Sequence, residues 1–148
     1  MMTPRWAVGL LVLVAGAQAR IHELDISNDG RRIFSIEAFG FRAGGALTLH
    51  LKQFAVTGSD TEPVQAGFIL HKTSSEAAVL EGIEDVREKD VCILDAPLES
   101  DQVVSTANAS TPVTLAVGED GMYDLIFTRC SPQDGKVSFK LDATFVNP

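Results

Sequence analysis

The chain has 148 residues, 45% of them hydrophobic, and sets 12 basic against 20 acidic side chains for a net charge of −8. That length fits one domain, and a chain of this size buries roughly two thirds of its unfolded surface without a metal or a dense disulfide framework. The acidic balance argues against nucleic acid or an anionic membrane surface as partner, since both repel a chain of that sign.

Met1–Arg5 carries one basic residue and no acid, the apolar run Trp6–Gly16 follows, and Ala17-Gln18-Ala19 closes the segment. A short positive start, an apolar stretch of about 7–15 residues and a small-x-small end describe a secretory signal peptide, cut between Ala19 and Arg20. A retained membrane anchor would need about 20 apolar residues, and this run has about half that before Gln18 interrupts it. Removing residues 1–19 leaves an exported domain, 20–148, and loss of Arg5 takes its net charge to −9. No second apolar stretch approaches spanning length.

Ile21, Leu24 and Ile26 predict a first strand that ends at Asn28-Asp29-Gly30. Asp-Gly between apolar runs predicts a hairpin, with Ile33–Phe39 as the return strand. Gly40, Gly44 and Gly45 around Phe41 predict a tight connection held by one buried ring. Ala46–Val56 is the longest strand expected, with Leu47, Leu49 and Leu51 on one face and Thr48, His50 and Lys52 on the other. Phe54 and Val56 fall out of step with it, and a bulge near Lys52-Gln53 would return them to the core face. Gly58–Pro63 reads as loop and Ala66–Leu70 as a short buried strand.

The period then changes. Ser74 or Ser75 can cap a helix, and Leu80, Ile83 and Val86 share one stripe with Glu81, Glu84 and Asp85 outside it, predicting a short helix over 74–86. Its acidic residues read as a solvated face. Val91–Leu94 is expected to be a strand, Val103-Val104 a short edge strand, and Thr111–Val117 alternates well. In Met122–Cys130, Tyr123, Leu125 and Phe127 alternate with Asp124 and Thr128, the pattern of a strand buried on one face. Val137, Phe139, Leu141, Ala143 and Phe145 give the last strand the clearest alternation of all. Short strands with turn signals between them predict an all-β fold, an antiparallel β-sandwich with the one short helix inserted around residues 74–86.

Cys92 and Cys130 are the only cysteines. In an exported chain they most simply form a disulfide, joining two strands of the sandwich; two buried free thiols are the alternative. Asn108-Ala109-Ser110 fits the N-glycosylation pattern within a polar stretch. No Gly-x-Ser-x-Gly elbow is present. His22, His50 and His71 stand singly; His50 and His71 could meet across strands with an acid such as Glu37 to hold a metal, but lone histidines on polar strand faces are ordinarily surface residues. The sequence therefore assigns no catalytic, cofactor-binding or metal-binding residue, and the chain is expected to be no enzyme.

Leu24-Asp25-Ile26-Ser27-Asn28-Asp29-Gly30-Arg31, Phe39-Gly40-Phe41 with Gly44-Gly45, Gly67-Phe68-Ile69-Leu70, Cys92-Ile93-Leu94-Asp95, and Tyr123–Phe127 before Cys130 together resemble the lung seven-transmembrane receptor family. The resemblance implies a lumenal GOLD-like β-sandwich ahead of seven membrane helices, and a disulfide between Cys92 and Cys130. It implies residence in Golgi, endosomal or plasma membranes, no cofactor, and a protein or peptide ligand of the secretory pathway. The family's first membrane helix would lie beyond Pro148, so this chain corresponds to the lumenal part alone. The leading expectation is a non-enzymatic binding domain of a trafficking or receptor-like membrane protein, with its contacts at main-chain edges or loops such as Arg42–Gly45 and Glu84–Asp90. A freestanding secreted binding sandwich is the alternative, and a small secreted hydrolase, which would need a deep cleft where carboxylates or a histidine converge, is third.

Overall fold

A computed structural model describes residues 19–58, 63–73, 92–95, 97, 101–131 and 134–148. Eight strands follow in order: β1 (Ala19–Asp29), β2 (Ile33–Phe41), β3 (Ala46–Gly58), β4 (Gln65–Thr73), β5 (Gln102–Ser105), β6 (Val113–Ala116), β7 (Gly121–Ser131) and β8 (Gly135–Val146). A 3-10 turn, Thr106–Asn108, follows β5. The helix expected over 74–86 and residues 1–18 of the leader expected over 1–19 lie outside the described residues.

The strands form two four-stranded antiparallel sheets, β1-β8-β3-β6 and β2-β7-β4-β5. An all-β sandwich results, because each sheet has one apolar face to hide and the two hide each other's. Along β8, Val137, Phe139, Leu141, Ala143 and Phe145 are all within 1% of complete burial, as their alternation predicts. They meet Phe34, Phe68, Leu125 and Phe127 of the facing sheet in one core. In β3 the register slips between Leu51 and Gln53, and Phe54 and Val56 then pack on that core, so the expected bulge is present. β1 ends beside β8: Ala19 stands opposite Val146 and Asp29 opposite Val137.

Three sequence expectations are corrected. First, Asp29-Gly30 makes no hairpin, because β1 pairs with β8 and β2 with β7, so the connection crosses from one sheet to the other. Side chains hold it: Asp29 Oδ1 accepts from the Arg31 amide at 2.9 Å, and its carboxylate grips the Arg31 guanidinium, with Nη2 at 2.6 Å. Arg31 in turn lies 4.3 Å over the Phe34 ring. Beneath, the almost wholly buried Arg129 donates from Nη2 to the carbonyls of Gly30 (3.3 Å) and Gly135 (3.1 Å), linking the β1–β2 and β7–β8 connections. Burial lowers the Arg129 pKa from its ordinary value, with the charge of Arg32 adding to the effect.

Second, β7 is buried on both faces. Asp124, Ile126, Thr128 and Arg129 are as hidden as Tyr123, Leu125 and Phe127. Third, Cys92–Asp95 is a turn and no strand, closed by the Asp95 amide donating to the Cys92 carbonyl at 3.1 Å. Its Ile93 and Leu94 cover Ile33, Ile69 and Ile126 on the outer face of the β2-β7-β4-β5 sheet. Cys92 is bonded to Cys130 near the end of β7, with the Cα atoms 5.4 Å apart. The disulfide thus ties a covering turn down onto a strand. Gly67 allows the close approach, since a Cβ there would sit 2.8 Å from the Val104 carbonyl oxygen and 3.2 Å from Leu94.

The Asp29–Arg31 pair gives a pH expectation. Its hydrogen bonds from Arg31 hold the Asp29 carboxyl below the ordinary value of 3.8. A depressed carboxylate stabilises the fold above its unfolded pKa, and that contribution fades as pH falls through the folded one. Asp29→Asn is therefore less stable than wild type at neutral pH, and the two converge once the pH falls below the lowered Asp29 pKa. Urea unfolding across pH 2–7 measures this; a constant difference throughout would show that the carboxylate charge plays no part.

Candidate functional site at the β1–β2 rim

The two sides of the sandwich differ. On one side the sheets end in the four-residue strands β5 and β6. On the other they end in β1, with 11 residues, and β2, with 9. A register shift between Ser35 and Glu37 sets Glu37 opposite inward-facing Leu125 at this long rim. Bulges re-aim side chains in this way. The Glu37 carboxylate reaches across the opening between the sheets: Oε1 takes the Arg20 guanidinium, and Oε2 lies 2.8 Å from His22 Nδ1. Glu37 is only 19% exposed, whereas Arg20 is 58% exposed. Pairs this wet contribute little to stability, about 0–1 kcal/mol. Their effect is to fix the start of β1 against β2 and to present charged groups at the rim.

Beyond them the outward face of β1 carries Ile21, 69% exposed, then Glu23 and Asp25, also exposed. Asp25 stands opposite Lys140. Glu23 stands opposite Asp142, which is itself held by Lys52 Nζ at 2.8 Å. Glu37 entered the sequence reading only as an acid that could join His50 and His71 around a metal, an arrangement that reading disfavoured. The structure separates those groups: His50 lies between core-facing Leu49 and Leu51 on β3 of one sheet, and His71 follows core-facing Leu70 on β4 of the other, so the two are on opposite outer faces. His71 Nδ1 lies 2.6 Å from Asp101 instead. Among the described residues no cluster of three or more His, Cys, Asp or Glu is arranged to hold a metal ion.

Ser35, Asp124 and His71 come near one another across β2, β7 and β4, since Asp124 pairs with both Ala38 and His71 in the ladder. The Ser35 hydroxyl donates straight to Asp124 Oδ1 at 2.6 Å. A serine nucleophile needs a histidine between hydroxyl and carboxylate to take its proton. Here that order is absent, and the contact serves the sheet. Two surface grooves lie on described residues, one edged by Asp25, Gln53 and Lys140 over Phe54 and Phe139, the other by Arg20, Phe39 and Gly40. Neither gathers a histidine or a pair of carboxylates.

The loop Arg42–Gly45, expected as a contact surface, is exposed at Arg42–Gly44 but pinned. The Gly44 amide donates to the Val117 carbonyl, the Val117 amide to Gly45, and the Ala43 amide to Asp120 Oδ1. A Cβ on Gly45 would fall 2.8 Å from the buried Phe41 ring, so the ring and the glycine require each other. Asn147 closes the loop, accepting from the Arg42 amide at 2.7 Å and donating to the Gly40 carbonyl at 2.9 Å. Asn147→Ala leaves both backbone groups short of a partner and destabilises the domain by about 1–3 kcal/mol, measured by urea unfolding. A change under about 0.5 kcal/mol would mean water replaces the amide. The other expected contact loop, Glu84–Asp90, lies outside the described residues.

Asn108 ends the 3-10 turn with its side chain exposed, while Ala109 beside it is fully buried and its carbonyl accepts from the Leu51 amide at 2.8 Å. Ala19 and Arg20 open β1. No helix among the described residues is long and apolar enough to cross a membrane. Residues 22–147 match the profile of the family described as CAND6/7, N-terminal domain. No solved structure matches the chain.

Proposed function

We propose, from the premise that the chain belongs to the CAND6/7 N-terminal domain family, that it is the lumenal or extracellular binding domain of a seven-transmembrane trafficking or receptor-like protein. The observation that carries this reading is the match across nearly all of the sandwich. Family membership agrees with the resemblance to lung seven-transmembrane receptors and with a location outside the cytosol. The Cys92–Cys130 bond adds support, because such bonds persist in the secretory pathway and are rare in the cytosol. In this reading residues 1–19 are a cleaved leader, the sandwich is GOLD-like, and Asn108 carries a glycan. The domain does no chemistry of its own: it takes a protein or peptide ligand of the secretory pathway, at Golgi, endosomal or cell-surface membranes.

The test is protease protection of the full gene product with an epitope after Arg20. The epitope is expected to stay protected in intact microsomes, to remain with the membrane after carbonate washing, and to carry an endoglycosidase-sensitive shift that Asn108→Gln removes. An epitope digested in intact microsomes, or released wholly by carbonate, would overturn the proposal.

A further inference from the structure

Sheet edges invite other strands, and folded proteins usually blunt them with short strands, proline, lysine or bulges. The β5 and β6 edges are blunted by length, at four residues each. The β1 edge is 11 residues long, and Arg20–Ile26 contains neither proline nor lysine and pairs without a break to β8; the first register shift comes after Ile26. Among the described residues nothing pairs with its other side. Its side chains alternate in character: Ile21, Glu23 and Asp25 face outward into solvent, while Leu24 and Ile26 pack against the core.

We propose that this edge is a strand-addition site for an extended peptide whose residues alternate basic and apolar. The backbone of such a segment would continue the ladder beyond β1, as exposed sheet edges do when they recruit a peptide. Its basic side chains would lie beside Glu23 and Asp25, and its apolar ones would extend the row of Leu24 and Ile26. A second copy of this chain is a poor occupant. Antiparallel self-pairing centred on residues 23–25 sets Glu23 and Asp25 against the same two acids of the other copy, and like charges directly opposite are destabilising. The net charge of −8 opposes such self-association over the whole surface as well. The inference rests on reading the domain as a binding module, and it is separable from where the domain resides.

The experiment titrates a labelled octapeptide of alternating lysine and valine into the purified, disulfide-bonded chain at about 0.15 M salt, where charges more than about 8 Å apart are screened. Fluorescence anisotropy reads affinity and amide chemical shifts read location. Shifts are expected at Arg20–Ile26, with at least tenfold weaker binding of an alternating glutamate–valine peptide. Glu23→Lys with Asp25→Lys reverses that preference. Two peptides with alternate backbone nitrogens methylated, in opposite phases, need no protein variant: one phase loses at least tenfold and the other binds as before. Equal binding by both methylated phases would reduce the effect to charge attraction, and shifts elsewhere, no saturation at millimolar peptide, or a chain dimer in solution would each overturn the proposal. None of these outcomes bears on protease protection of the full gene product, so the two readings fail separately.

Discussion

Phe139→Ala lowers the unfolding free energy by about 3–5 kcal/mol and Tm by on the order of 10 °C, the largest loss expected from any one side chain here. Phe139 belongs to β8, yet its ring lies 5.0 Å from Phe127, 5.8 Å from Phe68 and 6.4 Å from Phe34, all three in the opposite sheet. On its own sheet it meets Phe54 at 6.3 Å. Removing it opens a void where five rings converge, and the paired strands around it cannot collapse inward without breaking their ladders. Both the lost transfer energy and the residual cavity therefore count against the variant. Phe139→Leu, which keeps most of the volume, is expected to recover more than half of the loss. Urea unfolding with a constant m-value measures both, and a loss under about 1 kcal/mol for the alanine variant would mean the sheets are not joined through this ring.

Cys92→Ser with Cys130→Ser is expected to remove roughly 3–4 kcal/mol, from the loop-closure entropy of a bridge spanning 38 positions. Changing both residues avoids a free thiol that could pair wrongly. The double variant also releases the turn that lays Ile93 and Leu94 on Ile33, Ile69 and Ile126. Amide exchange should therefore accelerate first at Ile69 and Ile126, before any global unfolding. A double variant within about 1 kcal/mol of wild type, with unchanged exchange at those amides, would show that packing alone holds the turn in place.

What the sequence made legible depends on how far each pattern reaches. The faces of β8 could be read because inside and outside alternate residue by residue, and the β3 bulge because Phe54 and Val56 break that alternation by one step. The β5 edge was visible in Val103-Val104. Pairing was harder to see: Asp29-Gly30 carries a local hairpin signal, but partner choice belongs to β8 and β7, about a hundred residues away. The same holds for β7. Its Asp124, Thr128 and Arg129 look solvent-facing in sequence, yet all three are buried in the fold. Cys92–Leu94 looked like strand because covering turns and buried strands use the same apolar residues. At the rim, the ionic contact of Glu37 with Arg20 and His22 needs two sheets to close, so no spacing along the chain announces it.

Because Ala19 pairs with Val146, the polypeptide enters and leaves the sandwich at one pole. β8 runs from there for 12 residues, which at about 3.3 Å each sets the opposite pole some 35–40 Å away. That far pole holds the Asp29–Arg31 clasp and the sulfur bridge beside the end of β7. Any tether joined after Pro148 would hold the near pole close to its anchor and lift the far one clear of it. A reporter fused ahead of Arg20 would crowd the anchored end, whereas one inserted after Gly30 would stand free.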